Sequence, residues 1–170
     1  MIKKLDHKLF FKLYNFAISH HRAAKLAILI TKYSAAIFST IYLSTVIYLI
    51  YDSNPRIKSF ILIPAAVYLL AKVIPYFYNR RRPFAEFGLE TPVKQREDHS
   101  FPSTHTASSL IISLAVFNIN PELGFLMIFL AFLTALSRIM VGVHYPSDII
   151  GGWLISLTIY YSAVKVLYLT

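Results

Sequence analysis

The sequence predicts an all-α protein, an integral-membrane helical bundle of about five spans preceded by an N-terminal amphipathic helix. Two observations carry that prediction. Of the 170 residues, 56% are hydrophobic and 15% charged, where an ordinary soluble domain is about a quarter charged. The apolar residues also gather into runs of roughly bilayer length, joined mostly by tight turns. The length fits one membrane-embedded domain over residues 1–170.

Residues 1–22 mix Lys3, Lys4, Lys8 and Lys12 with Leu9, Phe10, Phe11, Leu13, Tyr14 and Phe16. Lys12 breaks the apolar core that a signal peptide requires, so an interfacial amphipathic helix is expected, with a frayed basic tail as the plain alternative. A long apolar run follows over 24–51, uninterrupted from Tyr33 to Tyr51, and Asp52-Ser53-Asn54-Pro55 turns the chain. A second span covers about 57–78 and contains Lys72 and Pro75. The one long polar loop, 79–102, holds three consecutive Arg residues and four of the eight acids; loops of that length are functional or disordered. A third span over 103–117 is short for a bilayer core of about 30 Å, which places its starting end below the membrane surface. Asn118-Ile119-Asn120-Pro121 turns the chain again, and further spans cover about 122–141 and 147–169. Alternating directions put the 79–102 loop and the 139–147 loop on one side of the membrane.

The charge balance, 17 Lys and Arg against 8 Asp and Glu for a net +9, points in a membrane protein to anionic headgroups or a phosphorylated lipid. No aromatic-basic nucleic-acid motif occurs, so nucleic acid is not an expected partner. There is no Cys, which removes disulfides, thiolate metal sites and Cys nucleophiles and leaves the compartment open.

The two loops on one side bring together Arg80, Arg81, Arg82, Ser103, Thr104, His105, Arg138, His144 and Asp148. Guanidinium forks match phosphate oxygens. Pro102 stands where a first-turn Pro belongs, so the N–H groups of Ser103, Thr104 and His105 can face the same oxygens. His144 and Asp148 are four apart; a carboxylate on one imidazole nitrogen fixes the tautomer and frees the other nitrogen to attack. His105 can then protonate the leaving oxygen, and the set describes phosphoryl transfer through a phosphohistidine. Each residue also has a bland role: His144 a hydrogen-bonded boundary residue, Arg138 snorkelling, Arg80 to Arg82 a lipid-facing patch, Ser103 an N-cap. His105, His144 and Asp148 could also be a metal set, but several Arg aimed at one spot would repel a cation.

These residues resemble the type-2 phosphatidic acid phosphatase family of membrane lipid phosphatases, which shares its site with vanadium haloperoxidases. The family carries three motifs, Lys-x6-Arg-Pro, Pro-Ser-Gly-His and Ser-Arg-x5-His-x3-Asp. Ser137, Arg138, His144 and Asp148 meet the third in full; Pro102-Ser103-Thr104-His105 meets the second with Thr for Gly; only Arg82-Pro83 remains of the first. The resemblance implies His144 as nucleophile, Asp148 as its orienting partner and His105 as general acid. Arg82 and Arg138 would clamp the phosphoryl oxygens with Ser103 and nearby amides, that of Thr104 included, and no metal or cofactor would be needed. Pro75 stands where the family has Lys. Lys72, about one helical turn earlier, is the candidate replacement, with Arg80 or Arg81 as alternatives.

The compact size, Arg81-Arg82-Pro83-Phe84, Ser100-Phe101-Pro102-Ser103-Thr104-His105 and the basic N-terminus look most like bacterial undecaprenyl-diphosphate phosphatases of this family. Such enzymes take the terminal phosphate from the polyprenyl diphosphate carrier of cell-wall (peptidoglycan) synthesis. A phosphatidylglycerophosphate or phosphatidate phosphatase, acting on a phosphoglycerolipid, is the alternative, and a catalytically silent lipid binder is a third, favoured by the missing Lys alone. The Lys and Arg on the site side would make that side cytoplasmic by charge, whereas the resemblance implies a cell-membrane protein with an extracytoplasmic site. The latter is the expectation, because phosphate binding itself demands part of the Arg excess.

Overall fold

A computed structural model describes residues 2–169, with side chains from 3 to 164. Its helices, in order, are α1 (Ile2–Ser19), α2 (His21–Tyr51), α3 (Ile57–Phe77), α4 (Pro83–Phe87), α5 (Thr104–Phe117), α6 (Pro121–Met140) and α7 (Pro146–Leu169). There is no strand among the described residues. The five expected spans are α2, α3, α5, α6 and α7. By length and composition α2, α3 and α6 can cross a bilayer, and α5 is a shorter apolar helix. The 24 residues of α7 reach about 36 Å at roughly 1.5 Å each. Large apolar side chains on the outer faces, among them Leu43, Ile47, Leu62, Leu69, Phe125 and Leu154, stay exposed. In a bilayer that belt is the lipid contact, and every helix satisfies its backbone internally.

α5 is the pivot of the bundle, packed against α6, α7, α3 and α2. Its 14 residues reach about 21 Å, short of a bilayer core of about 30 Å, so its first turn starts at depth. A helix surrounded this way needs small side chains facing its neighbours. Ala107, Ser109, Ser113 and Ala115 are buried there, and the hydroxyls return to their own helix, Ser113 Oγ donating to Ser109 O at 2.7 Å. α7 comes closest at Gly152, where an added Cβ would lie 2.8 Å from Ser103 O. One turn on, Ser156 Oγ donates to Ala107 O at 2.8 Å. That contact fixes the start of α7 beside the start of α5.

α1 is amphipathic as expected, and it is also fastened to the bundle. Phe10, Tyr14 and Ala17 are buried, with Phe10 and Tyr14 packed on Ala135, Ile139, Tyr145 and Ile149, while Leu5, Leu9, Phe16 and Ile18 remain exposed for the interface.

The long polar loop contains an unanticipated helix. Pro83 starts α4 at its first position and Gly88, at φ 63°, stops it in the left-handed region. Around α4 the loop is stitched down: Arg82 N donates to Glu97 O at 2.8 Å, Ser100 N to Arg80 O at 2.9 Å, and Phe84 N to Gly142 O at 3.0 Å. Gly142 has φ 82°, and a Cβ there would stand 3.1 Å from the Tyr14 ring, so the α6–α7 turn requires glycine. At the far end of the bundle Arg56 Nη1 donates to Asn118 O at 2.9 Å, joining the other two turns. The two polar loops therefore meet on one side, as the alternation of spans predicts.

Candidate active site

The loops close over a cavity of about 520 Å³. Its polar end is lined by Lys72 of α3, Arg82, Arg96 and His99 of the loop, His105 of α5 and His144 of the α6–α7 turn. Its other wall carries Phe38 of α2, Ala71 of α3 and Ile112 of α5, so one cavity joins a cationic end to an apolar one. That division suits an amphiphile with a charged head.

His144 is 1% exposed. Its Nε2 lies 3.0 Å from Arg82 Nη1. A guanidinium only donates, so Nε2 accepts and the ring proton of the neutral imidazole sits on Nδ1. Nδ1 faces Asp148 Oδ2 at 3.5 Å, an ion-pair distance longer than a good hydrogen bond. Burial pulls the His144 pKa down to about 4; Asp148 acts in the opposite direction, and Arg82 and Arg138 add to the burial. At neutral pH the nitrogen facing the cavity carries a lone pair.

Asp148 is completely buried and anchored on both oxygens. Oδ1 accepts from Arg80 Nη1 at 2.8 Å; Oδ2 accepts from Ser100 Oγ at 2.6 Å and Tyr145 N at 2.8 Å. Its own carbonyl accepts from Ser103 N at 3.0 Å. The carboxylate is thus locked at a fixed place behind the imidazole.

Arg82, 9% exposed, organises the loop: Nε donates to Asp98 O at 3.2 Å, Nη2 to His99 O at 3.4 Å and Nη1 to Val143 O at 3.0 Å. Burial lowers its pKa, and Asp148 and Asp98 oppose that. Arg138 is 1% exposed, and its Nε and Nη2 have no hydrogen-bond partner among the described residues. A buried guanidinium with unmade hydrogen bonds and no carboxylate beside it can take an anion, though Arg138 does not itself line the cavity.

The other residues singled out from sequence separate clearly. His105 and Thr104 line the cavity in the first turn of α5, where backbone N–H groups have no intrahelical acceptor. Ser103 precedes them as N-cap, fully buried, with an unpartnered Oγ. Its N–H is not free for an anion, because it is bonded to Asp148 O, and Pro102 lies one place before the N-cap and not in the first turn. Ser137 is a packing residue, accepting from Thr31 Oγ1 at 2.9 Å across α2 and α6. Of the alternatives for the missing Lys, Lys72 lines the cavity; Arg80 is engaged with Asp148, and Arg81 is exposed and reaches Glu97 at 3.5 Å.

Sequence reasoning missed Asp6, Ser100, Arg96 and His99. Asp6 is the one acid in a stretch of lysines at residues 1–19, and its partners lie far along the chain. Among the described residues no three His, Cys, Asp or Glu side chains group as metal ligands.

Known proteins match this architecture. The chain is 30% identical over 148 residues to the undecaprenyl-diphosphatase BcrC of Bacillus subtilis, covering 84% of this chain and 75% of that one. It is 34% identical over 104 residues to the undecaprenyl-diphosphatase of Sulfolobus acidocaldarius, covering 58% of this chain and 48% of that protein, about half its length. The fold matches the crystal structure of Aquifex aeolicus LpxE with a TM-score of 0.76 over 95% of each chain, at 24% identity. The family model of the PAP2 superfamily matches residues 56–169, the stretch that builds nearly all of this cavity, and the chain, a multi-pass membrane phosphatase by that kinship, belongs to the PAP2 superfamily.

Proposed function

We propose that the protein hydrolyses the terminal phosphate of a polyprenyl diphosphate, undecaprenyl diphosphate by its similarity to BcrC, through a phosphohistidine on His144. The observation that carries the mechanism is the geometry of His144: proton on Nδ1 toward a locked Asp148, lone pair on Nε2 toward the cavity. A terminal phosphoryl group entering the cationic end takes over the Nε2 position now met by Arg82. Nε2 attacks phosphorus, the bond from phosphorus to the bridging oxygen breaks, and His105 gives that oxygen its proton. Arg82, Arg138 and Lys72 neutralise the equatorial oxygens, with the first-turn amides of α5 at Thr104 and His105 and with Ser103 at the N-cap. Water then attacks the phosphohistidine, His105 takes its proton, and inorganic phosphate leaves. The cations supply the charge neutralisation that a metal would otherwise bring, so the reaction is metal-independent.

Lys72 on the cavity wall supports turnover over silent lipid binding, since it provides the cation that Pro75 removes from the first motif. The apolar wall takes the first part of the lipid chain, and the remainder lies in the bilayer. The protein acts in the cell membrane with its site on the extracytoplasmic face. The test is phosphate release by detergent-solubilised protein in the presence of EDTA, comparing undecaprenyl diphosphate, phosphatidylglycerophosphate and phosphatidate, with His144→Ala as control. Release chiefly from the diphosphate, lost in the variant, is expected; preference for a glycerolipid overturns the substrate, and loss on EDTA treatment overturns the metal-free chemistry.

A further inference from the structure

We propose that Asp6 of α1 is a positioning residue for phosphoryl transfer, acting through Arg80 on Asp148. This rests on the reading of His144 as nucleophile. Asp6 is 5% exposed although its helix carries four lysines. None of its hydrogen bonds goes to those lysines. Oδ1 accepts from Ser147 N at 2.9 Å, and Oδ2 accepts from Ser147 Oγ at 2.6 Å and Arg80 Nη2 at 2.7 Å. All three donors lie on Arg80 and on the residue next to Asp148.

Arg80 is the bridge. Its Nη2 meets Asp6, while Nη1 meets Asp148 Oδ1 at 2.8 Å and Ser147 Oγ at 2.7 Å. The guanidinium lies 3.8 Å from the centre of the Tyr145 ring, so its plane is fixed as well as its ends. Asp148 and Asp6 hold the Arg80 pKa above its ordinary value, against the effect of burial. The Tyr145 hydroxyl does not compete for either acid, because it donates to Glu86 at 2.6 Å. The line from α1 to the imidazole therefore reads Asp6, Arg80, Asp148, His144.

The charges along that line explain its use. Attack by Nε2 makes the imidazole ring cationic, and Asp148 must answer that charge. Arg80 alone would draw the negative charge of Asp148 toward itself. Asp6 takes up the other half of Arg80, which leaves Asp148 with charge to offer His144. α1 is then a part of the catalytic apparatus supplied from outside the matched stretch 56–169.

The alternative is that Asp6 merely ties α1 to the start of α7. Five variants of the full chain, Arg80→Gln among them, assayed in detergent on undecaprenyl diphosphate, separate the two. Asp6→Asn keeps the shape and the Ser147 N–H acceptor and removes the charge. It is expected to lower kcat about tenfold with KM within about twofold of wild type. Asp6→Glu should recover part of the loss. Asp6→Asn combined with Arg80→Gln should be no slower than Arg80→Gln alone, since Asp6 acts through Arg80. Phe10→Ala, which loosens α1 without touching charge, should leave kcat of the folded fraction above that of Asp6→Asn.

Wild-type kcat in Asp6→Asn, multiplication of the two effects in the double variant, or an equal kcat loss in Phe10→Ala would each overturn the proposal. An active His144→Ala would remove the nucleophile reading and the proposal with it. An inactive His144→Ala beside a fully active Asp6→Asn would refute the positioning role alone.

Discussion

Asp148→Asn is the most informative single substitution in the site. The carboxylate takes one donor on Oδ1, from Arg80, and two on Oδ2, from Ser100 and Tyr145 N, with His144 Nδ1 beside them. An Asn has one acceptor oxygen, and its amide nitrogen must face a donor on one side or the other. The lower-energy choice keeps the oxygen toward Ser100, Tyr145 and His144 and turns the nitrogen to Arg80. The imidazole then keeps its tautomer but loses the counter-charge that forms as Nε2 attacks. A hydrogen bond to a charged partner contributes about 1.5–3 kcal/mol, which corresponds to a kcat loss of roughly 10- to 150-fold. KM should barely move, because Asp148 is fully buried behind His144 and does not line the cavity. Initial rates of phosphate release in detergent micelles, taken across substrate concentration, give both constants. A variant with kcat within about twofold of wild type, or one whose loss lies entirely in KM, would refute the role assigned to Asp148.

Other outcomes follow from the same geometry. His144 must be neutral and His105 protonated, so kcat/KM should follow a bell-shaped pH profile; burial holds the His144 pKa at about 4, which sets the acid limb near pH 4, and the alkaline limb follows loss of the His105 proton. An acid limb centred at the unperturbed value of 6.5 would show an exposed, unburied nucleophile. Lys72→Ala should weaken phosphate binding and raise KM by about tenfold, while Lys72→Arg keeps the charge and most of the affinity; equal KM in both variants would return the missing motif cation to an open question. Phe10→Ala removes a fully buried ring and should destabilise the protein by about 3–5 kcal/mol, read as a lowered thermal midpoint in detergent. Leu5→Ala, on the exposed side of the same helix, should leave that midpoint in place.

The spans were legible because a bilayer fixes their length and polarity, and the observed helices follow the expected runs within about three residues. His144 and Asp148 were legible for a different reason: four residues apart across a helix start, they face each other through local geometry. The division of labour among Arg80, Arg81 and Arg82 was not legible. Three consecutive residues in an extended segment point in different directions, and only the fold decides that Arg82 meets His144, Arg80 meets Asp148 and Arg81 meets solvent. Lys72 could be placed on the correct face of α3 by helical spacing, but reach into the cavity depends on how α3 packs on α5. Asp6 was hidden by distance, since it meets Ser147 across 141 positions and no pattern in α1 announces a partner that remote. The helix α4 could have been found from Pro83 followed by Gly88, the ordinary start and stop of a short helix.

The central claim is that His144 carries the phosphoryl group during turnover. The most direct measurement is a rapid alkaline quench of the enzyme with substrate labelled in the terminal phosphate, followed by mapping of the label on the chain. A phosphoramidate is stable to alkali and labile to acid, so the account predicts label on the peptide containing His144, released by acid and absent in His144→Ala. Steady turnover with no label on that peptide, together with phosphate release by His144→Ala, would contradict it.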